Sequence, residues 1–276
     1  MKQVTLPGGE QVPALRQGTW FMGEQASRRA QEIESLRLGL DLGATLIDTA
    51  EMYADGDTEL LVGAALAGVR DRAFLVSKVY PHNASRSGMA AACERSLKRL
   101  GTDRLDLYLL HWAGQIPLAE TIAGFEDLQA AGKIRHWGVS NLDIDEMEDL
   151  RVAGGSACAV NQILYNPTRR GAEFDLVPYL ASHGIPIMAY SPIEQGRLPA
   201  TGALARVAQK HGVAPFQVAL AWVTRRPDVI AIPKAARPAH VQANVAAMEI
   251  VLDAEDLAAL DAQFPPPRRK QALEML

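Results

Sequence analysis

Eight short apolar runs, each separated from the next by a stretch of helical periodicity, recur along the chain at roughly 25 to 35 residues per unit. They lie at 15–19, 45–47, 73–77, 105–110, 134–139, 158–161, 186–189 and 229–232. Most are rich in Leu, Ile and Val without strict alternation; 105–110, with Asp106 inside it, is a partial exception. A strand apolar on both faces is covered on both faces, as in a parallel sheet between helices. Connections of this length suit right-handed crossovers. The spacing predicts helices over 27–42, 57–68, 87–100, 118–131, 143–150, 173–183, 201–211, 215–225 and 238–248. A short last helix is expected after the cap formed by Asp253 and Asp256, and Asp57 or Thr58 is the expected cap of the second helix. Pro7, Gly8 and Gly9, between two short extended pieces, read as the turn of a hairpin. Together these features describe an α/β fold, a (β/α)8 barrel with a short N-terminal β-hairpin, as one domain over 1–276. An open doubly wound sheet is the competing architecture, but no Gly-x-Gly-x-x-Gly follows the first run.

Charge narrows the range of partners. The formal net charge is -4, and its well-mixed distribution gives no electrostatic reason to expect nucleic acid or an anionic membrane. No window is long and apolar enough for a spanning helix, and residues 1–9 are too polar and short for a signal peptide. Cys93 and Cys158 are the only cysteines, so reduced, buried thiols in a cytoplasmic protein are expected. The six histidines lack metal-ligand spacing, and no metal site is predicted.

In a barrel the chemistry sits at the carboxyl ends of the strands. The second run is followed by Asp48, with Tyr53 in the next loop; the third ends at Lys78, and the fourth at His111 and Trp112. Taken singly, Asp48 is equally a cap or turn residue, Tyr53 a loop aromatic, Lys78 a snorkelling side chain and His111 a structural histidine. Taken together they make a carbonyl-reduction site. Asp48 pairs with Lys78, whose charge is expected to lower the Tyr53 phenol from its ordinary pKa of about 10. Tyr53 then protonates a carbonyl oxygen that gains charge as hydride arrives, and His111 donates a second hydrogen bond to it.

Along nearly its full length the chain resembles the aldo-keto reductase family, most of all its small bacterial aldehyde and methylglyoxal reductases. Asp48-Thr49-Ala50-x-x-Tyr53 with Gly63 downstream, Lys78 and His111 carry the resemblance. It implies a barrel without a Rossmann domain, binding NADPH or NADH in extended form, with Tyr53 as general acid. It places Ser140, Asn141 and Gln162 on the nicotinamide carboxamide, and Tyr190, followed by Ser191 and Pro192, beneath the ring. Thr19, Trp20 and Asp48 lie on the cofactor side as well, and Trp20, Tyr53, His111 and Trp112 face the substrate. Arg197 is placed near the pyrophosphate. Ile232, Pro233, Lys234, Ala235, His240 and Asn244 resemble the segment that meets the adenosine half. Ser140 and Asn141 are equally a helix cap.

The pattern departs from strongly NADPH-selective relatives at two positions. Ala235 stands where they carry a hydroxyl residue, and His240 where they carry an arginine that clamps a phosphate. The expected cofactor is NADPH, with NADH as a second. The expected activity is reduction of small or aromatic aldehydes by a monomer. A sugar or keto-acid reductase of the same fold is the alternative, followed by a non-catalytic cofactor-binding subunit. Segment 164–171 is richer in charge than a plain connector, and packing above the site and contact with an anionic substrate are both open readings.

Overall fold

The turn around Pro7 closes as expected, with Leu6 N–H donating to Glu10 O at 2.8 Å. It joins β1 (Gln3–Thr5) to β2 (Gln11–Pro13), an antiparallel pair in which Val4 faces Val12. The computed structural model of the chain describes residues 1–199 and 201–276. Eight parallel strands follow in chain order around one sheet. They are β3 (Arg16–Gly18), β4 (Leu46–Asp48), β5 (Phe74–Val79), β6 (Leu105–Leu110), β7 (Ile134–Ser140), β8 (Asn161–Leu164), β9 (Ile187–Tyr190) and β10 (Val229–Ile232). The last meets the first: Ala231 N–H donates to Ala14 O at 2.8 Å, and Gly18 N–H to Pro233 O at 3.0 Å. The sheet is thus a (β/α)8 barrel, ringed by α1 (Arg29–Asp41), α2 (Asp57–Leu66), α3 (Arg86–Leu100), α4 (Leu118–Ala130), α5 (Ile144–Val152), α6 (Leu176–Ser182), α7 (Gly202–His211), α8 (Pro215–Val223), α9 (Pro238–Ala246) and α10 (Ala254–Gln263).

Period-2 geometry divides each strand between two cores. Leu46, Val76, Leu107, Leu109 and Met188 fill the barrel, and Val4, Leu6 and Val12 of the hairpin join that cluster. The alternate residues, such as Ile47, Leu75 and Tyr108, pack outward with the helices. Register then decides where the chemistry falls. Asp48 lies two residues beyond Leu46 and Lys78 two beyond Val76, so both continue the inward rows, with Asp48 beside Val76. Cys93 and Cys158 are buried and free, and burial pushes both thiols up to about 12.

Three expectations are corrected. The sixth barrel strand runs Asn161–Leu164 rather than 158–161. Its first residues are polar for two reasons, Asn161 Nδ2 donating to Leu142 O at 2.8 Å and Gln162 lining the cavity, whereas the apolar 158–160 leads in: Cys158 N–H closes a turn onto Gly155 O. Neither Asp57 nor Thr58 caps α2. Gly56, at φ 97°, occupies that position, and the Thr58 hydroxyl instead donates to Met22 O at 2.6 Å, tying down the loop after β3. Helix α6 starts at Leu176 behind an Asp175 cap, because Glu173 is held by Arg170 and Arg225. The Asp253 cap stands, accepting from Asp256 N–H at 2.9 Å.

Gly63 permits close packing of α2 on the end of α3. A Cβ there would sit 2.8 Å from the carbonyl oxygens of Arg99 and Leu100, and backbone cannot yield as a side-chain tip does. Gly63→Ala is therefore expected to destabilise the protein by about 1–3 kcal/mol, read as a lower midpoint in urea with unchanged slope.

Candidate active site

The carboxyl ends of the strands surround a cavity of about 950 Å³. Trp20, Asp48, Tyr53, His111 and Trp112 line one part of it. Ser140, Asn141, Gln162 and Tyr190 continue the wall, which runs on through Ser191 and Pro192 to Lys234, His240 and Asn244. Apart from Lys78, which lies behind the wall, and Arg197 and Ala235, the site residues picked out along the sequence line this one cleft.

Lys78 is the hub of its floor. The side chain is fully buried, and Nζ donates to Asp48 Oδ2 at 2.8 Å, Thr49 O at 2.9 Å and the Tyr53 hydroxyl at 2.9 Å. All three ammonium protons have partners, as a buried cation requires. Gln162 Nε2 donates to the other oxygen of Asp48 at 2.8 Å, and the Thr19 hydroxyl donates to Asp48 O at 2.8 Å. Burial opposes the charge on Lys78, but Asp48 and then Tyr53 outweigh it, so its pKa rises above the ordinary value.

The electrostatics correct one expectation. Lys78 pulls the Tyr53 phenol down, but burial is the larger effect and Asp48 adds to it, leaving the pKa above 10. The proton therefore stays on Tyr53 at neutral pH, which keeps the residue in its donor form. His111 is held well below its usual value, first by burial and then by the Lys78 charge, so it is neutral. Its Nδ1 is buried with no partner among the described residues, which leaves Nε2 as the nitrogen open to the cavity.

The amide side is ordered without any ligand. Asn141, at φ 59°, donates from Nδ2 to His111 O at 3.2 Å and to Ser140 Oγ at 3.1 Å, and accepts from the Tyr190 hydroxyl at 3.0 Å. The helix that follows is capped by Asp143, so Ser140 and Asn141 are left to the cleft. Gln162 spends its N–H on Asp48, and among the described residues its carbonyl oxygen has no protein partner. A free acceptor beside an ordered amide and hydroxyl, in a cavity of about 950 Å³ that Lys234 and Asn244 also line, fits a nicotinamide dinucleotide.

The pattern of the aldo/keto reductase family matches residues 14–263. The chain belongs to that family. It is 50% identical to methylglyoxal reductase YeaE of Escherichia coli K12, over the whole of this chain and 99% of the relative. It is 32% identical to glyoxal reductase of Bacillus subtilis 168, covering 94% of this chain and 91% of the relative. Among solved structures, an aldo/keto reductase of Klebsiella pneumoniae in complex with NADP and acetate superposes with a TM-score of 0.97 at 52% identity, covering 100% and 99% of the two chains. The resemblance seen in the sequence is thereby established. This aldo/keto reductase is an NAD(P)H-dependent oxidoreductase acting on small carbonyl compounds.

Two residues assigned to the cofactor side fall elsewhere. Arg197 is largely exposed and pairs at 3.4 Å with Glu194, three residues before it, instead of reaching the cleft. Ala235 lines a separate small cavity behind Asn244. Conversely, the cleft includes residues that the sequence did not single out: Phe21, Met52, Leu198, Phe216, Met275 and Leu276. Phe21 carried a signal, as a second large ring beside Trp20, on which it stacks at 4.5 Å. The last two carried none, because the tail after Phe264 has no periodicity to place it.

Proposed function

We propose that this protein reduces small and aromatic aldehydes, methylglyoxal among them, to alcohols, with NADPH as cofactor and Tyr53 as general acid. The observation that carries the reading is a phenol in the cavity wall with a wholly buried ammonium 2.9 Å behind it. When bound, the nicotinamide supplies the hydride. Ser140, Asn141 and Gln162 orient its carboxamide, and Tyr190 supports the ring. Lys234, His240 and Asn244 hold the distal half of the nucleotide.

The substrate carbonyl oxygen lies between the Tyr53 hydroxyl and His111 Nε2. As that oxygen becomes alkoxide-like, Tyr53 hands over its proton, and the tyrosinate left behind faces the Lys78 ammonium, whose positive charge stabilises it. Asp48 and Thr49 O keep the ammonium in place. Trp20 and Trp112 exclude water and offer flat apolar surface to the rest of the aldehyde. The similarity to the methylglyoxal reductase of Escherichia coli and the glyoxal reductase of Bacillus subtilis supports dicarbonyls as substrates.

A turnover screen pairing NADPH and NADH with a panel of aldehydes, sugars and keto acids tests this directly. Loss of the reduced-nicotinamide absorbance with methylglyoxal or an aromatic aldehyde is expected, and no loss across the panel refutes the proposal. The distal wall gives a second expectation. His240 is exposed there, and a guanidinium in its place would grip a 2'-phosphate with a fork that imidazole lacks. His240→Arg should raise the NADPH-to-NADH ratio of kcat/KM by about tenfold. An unchanged ratio removes His240 from the phosphate site.

A further inference from the structure

The charged loop between β8 and α6 takes no part in the chemistry above, yet it holds both segments that overhang the cleft. Arg169 reaches in two directions. Toward the segment after β9, its Nη2 donates to Glu194 Oε1 at 2.9 Å and its Nε to Glu194 Oε2 at 3.4 Å. Toward the tail, its Nη1 donates to Glu274 Oε1 at 2.6 Å.

Each segment supplies part of the cavity wall. Ser191, Gln195 and Gly196 flank Glu194 there, and Met275 and Leu276 follow Glu274. The segment after β9 is also strained. Ser191, Glu194 and Gln195 take φ of 48°, 48° and 55°, a region that side-chain-bearing residues rarely adopt. Such conformations persist only where the surroundings hold them. Here Asn166 Nδ2 donates to Ser191 O at 3.0 Å and to Glu194 Oε2 at 2.8 Å, and Arg169 completes the shell around a carboxylate only 9% exposed. The tail has a second anchor in Lys270, paired with Asp143 at 3.2 Å and Asp175 at 2.8 Å, but only Glu274 adjoins the residues that enter the cleft.

We infer that Arg169 is a positioning residue that sets two walls of the cleft together, the segment after β9 through Glu194 and the tail through Glu274. It lines no part of the cavity itself and touches no reacting atom. The inference rests on the functional reading above, which assigns the cleft to a nicotinamide nucleotide and a carbonyl compound.

Three variants separate the two arms: Arg169→Met, Arg169→Lys and Glu274→Gln, each measured for NADPH Kd by fluorescence and for KM and kcat with methylglyoxal as probe. Glu274→Gln, a surface change that spares the fold, should raise the carbonyl KM by about three- to fivefold with a smaller change in NADPH Kd than Arg169→Met gives. Arg169→Met should raise both, by roughly five- to tenfold, with kcat within about twofold. Arg169→Lys should recover only part of either, since one ammonium cannot span two carboxylates as a fork does. Raising salt should weaken the wild-type carbonyl KM through the exposed Glu274 arm and leave that of Arg169→Met flat. A purely structural arginine would lower Tm and move neither constant. Active wild-type protein whose variants keep wild-type Kd and KM overturns this inference alone. Wild-type protein that neither binds NADPH nor turns over a carbonyl overturns the functional reading and this inference with it.

Discussion

Tyr53→Phe is expected to lower kcat about a thousandfold while NADPH affinity stays within about twofold. The change removes one oxygen and little else. The Tyr53 ring is buried beside Trp20, at 6.4 Å, and His111, at 5.9 Å, and phenylalanine keeps both packings. Lys78 keeps Asp48 and Thr49 O as partners, so no buried charge is orphaned. What disappears is, among the described residues, the donor in the cleft that a buried cation backs. Because the phenol pKa lies above its ordinary value of about 10, the wild-type protein holds the transferable proton through the neutral range. Its turnover should therefore be level there and fall only in alkali, as deprotonation removes the acid. Steady-state kcat and nucleotide fluorescence titration check both halves. A variant that keeps a tenth or more of wild-type kcat would pass the acid role to His111 or to water.

The barrel was legible because its eight runs repeat at a regular interval, and the Asp48, Tyr53, Lys78 and His111 set because strand ends are where a barrel places its chemistry. Each failure has its own physical cause. The bounds of β8 were misplaced because a search for apolar runs starts at Cys158-Ala159-Val160 and stops at the polar pair Asn161 and Gln162, where the paired strand in fact begins. The direction of the Tyr53 shift was missed because a loop sequence shows the neighbouring charge but not the depth of burial. Arg197 was placed near the pyrophosphate; it faces Glu194 at 3.4 Å outside the cavity lining, while its neighbours Gly196 and Leu198 line the cavity. The tail residues Met275 and Leu276 were beyond reach because their anchor, Arg169 with Glu274, joins residues 105 positions apart. Local patterns disclose strands and the ends of strands. Ion pairs that fold a tail back over a cleft leave no local pattern.

The second large effect concerns the cation itself, and here stability and activity can be separated. Lys78→Met should abolish detectable turnover and destabilise the protein by about 3–5 kcal/mol, a fall in Tm of about 5 to 9 °C for a chain of this size. Lys78 is fully buried and Asp48 is 4% exposed at its side chain, so deleting the ammonium leaves a carboxylate in the barrel with Gln162 as its side-chain donor. The penalty belongs to that orphaned charge more than to any lost bond. It follows that adding Asp48→Asn to Lys78→Met should restore part of the stability, because an amide beside Gln162 is less costly than a carboxylate without its ammonium, while buried Arg16 loses the attraction of Asp48. Turnover should not return, because a tyrosinate at Tyr53 would still face no positive charge. The pH dependence has a definite sign. With the folded-state pKa of Lys78 raised, its stabilisation is fully present below the unfolded value of about 10.4 and is lost as pH rises through the higher folded one. The stability gap between wild type and Lys78→Met should then stay constant from about pH 6 to pH 9 and close above that range. Denaturant melts of the single and double variants at three pH values measure all of this. A double variant as unstable as Lys78→Met would show that the ammonium contributes through packing, and that the buried charge pair is not what holds this end of the barrel.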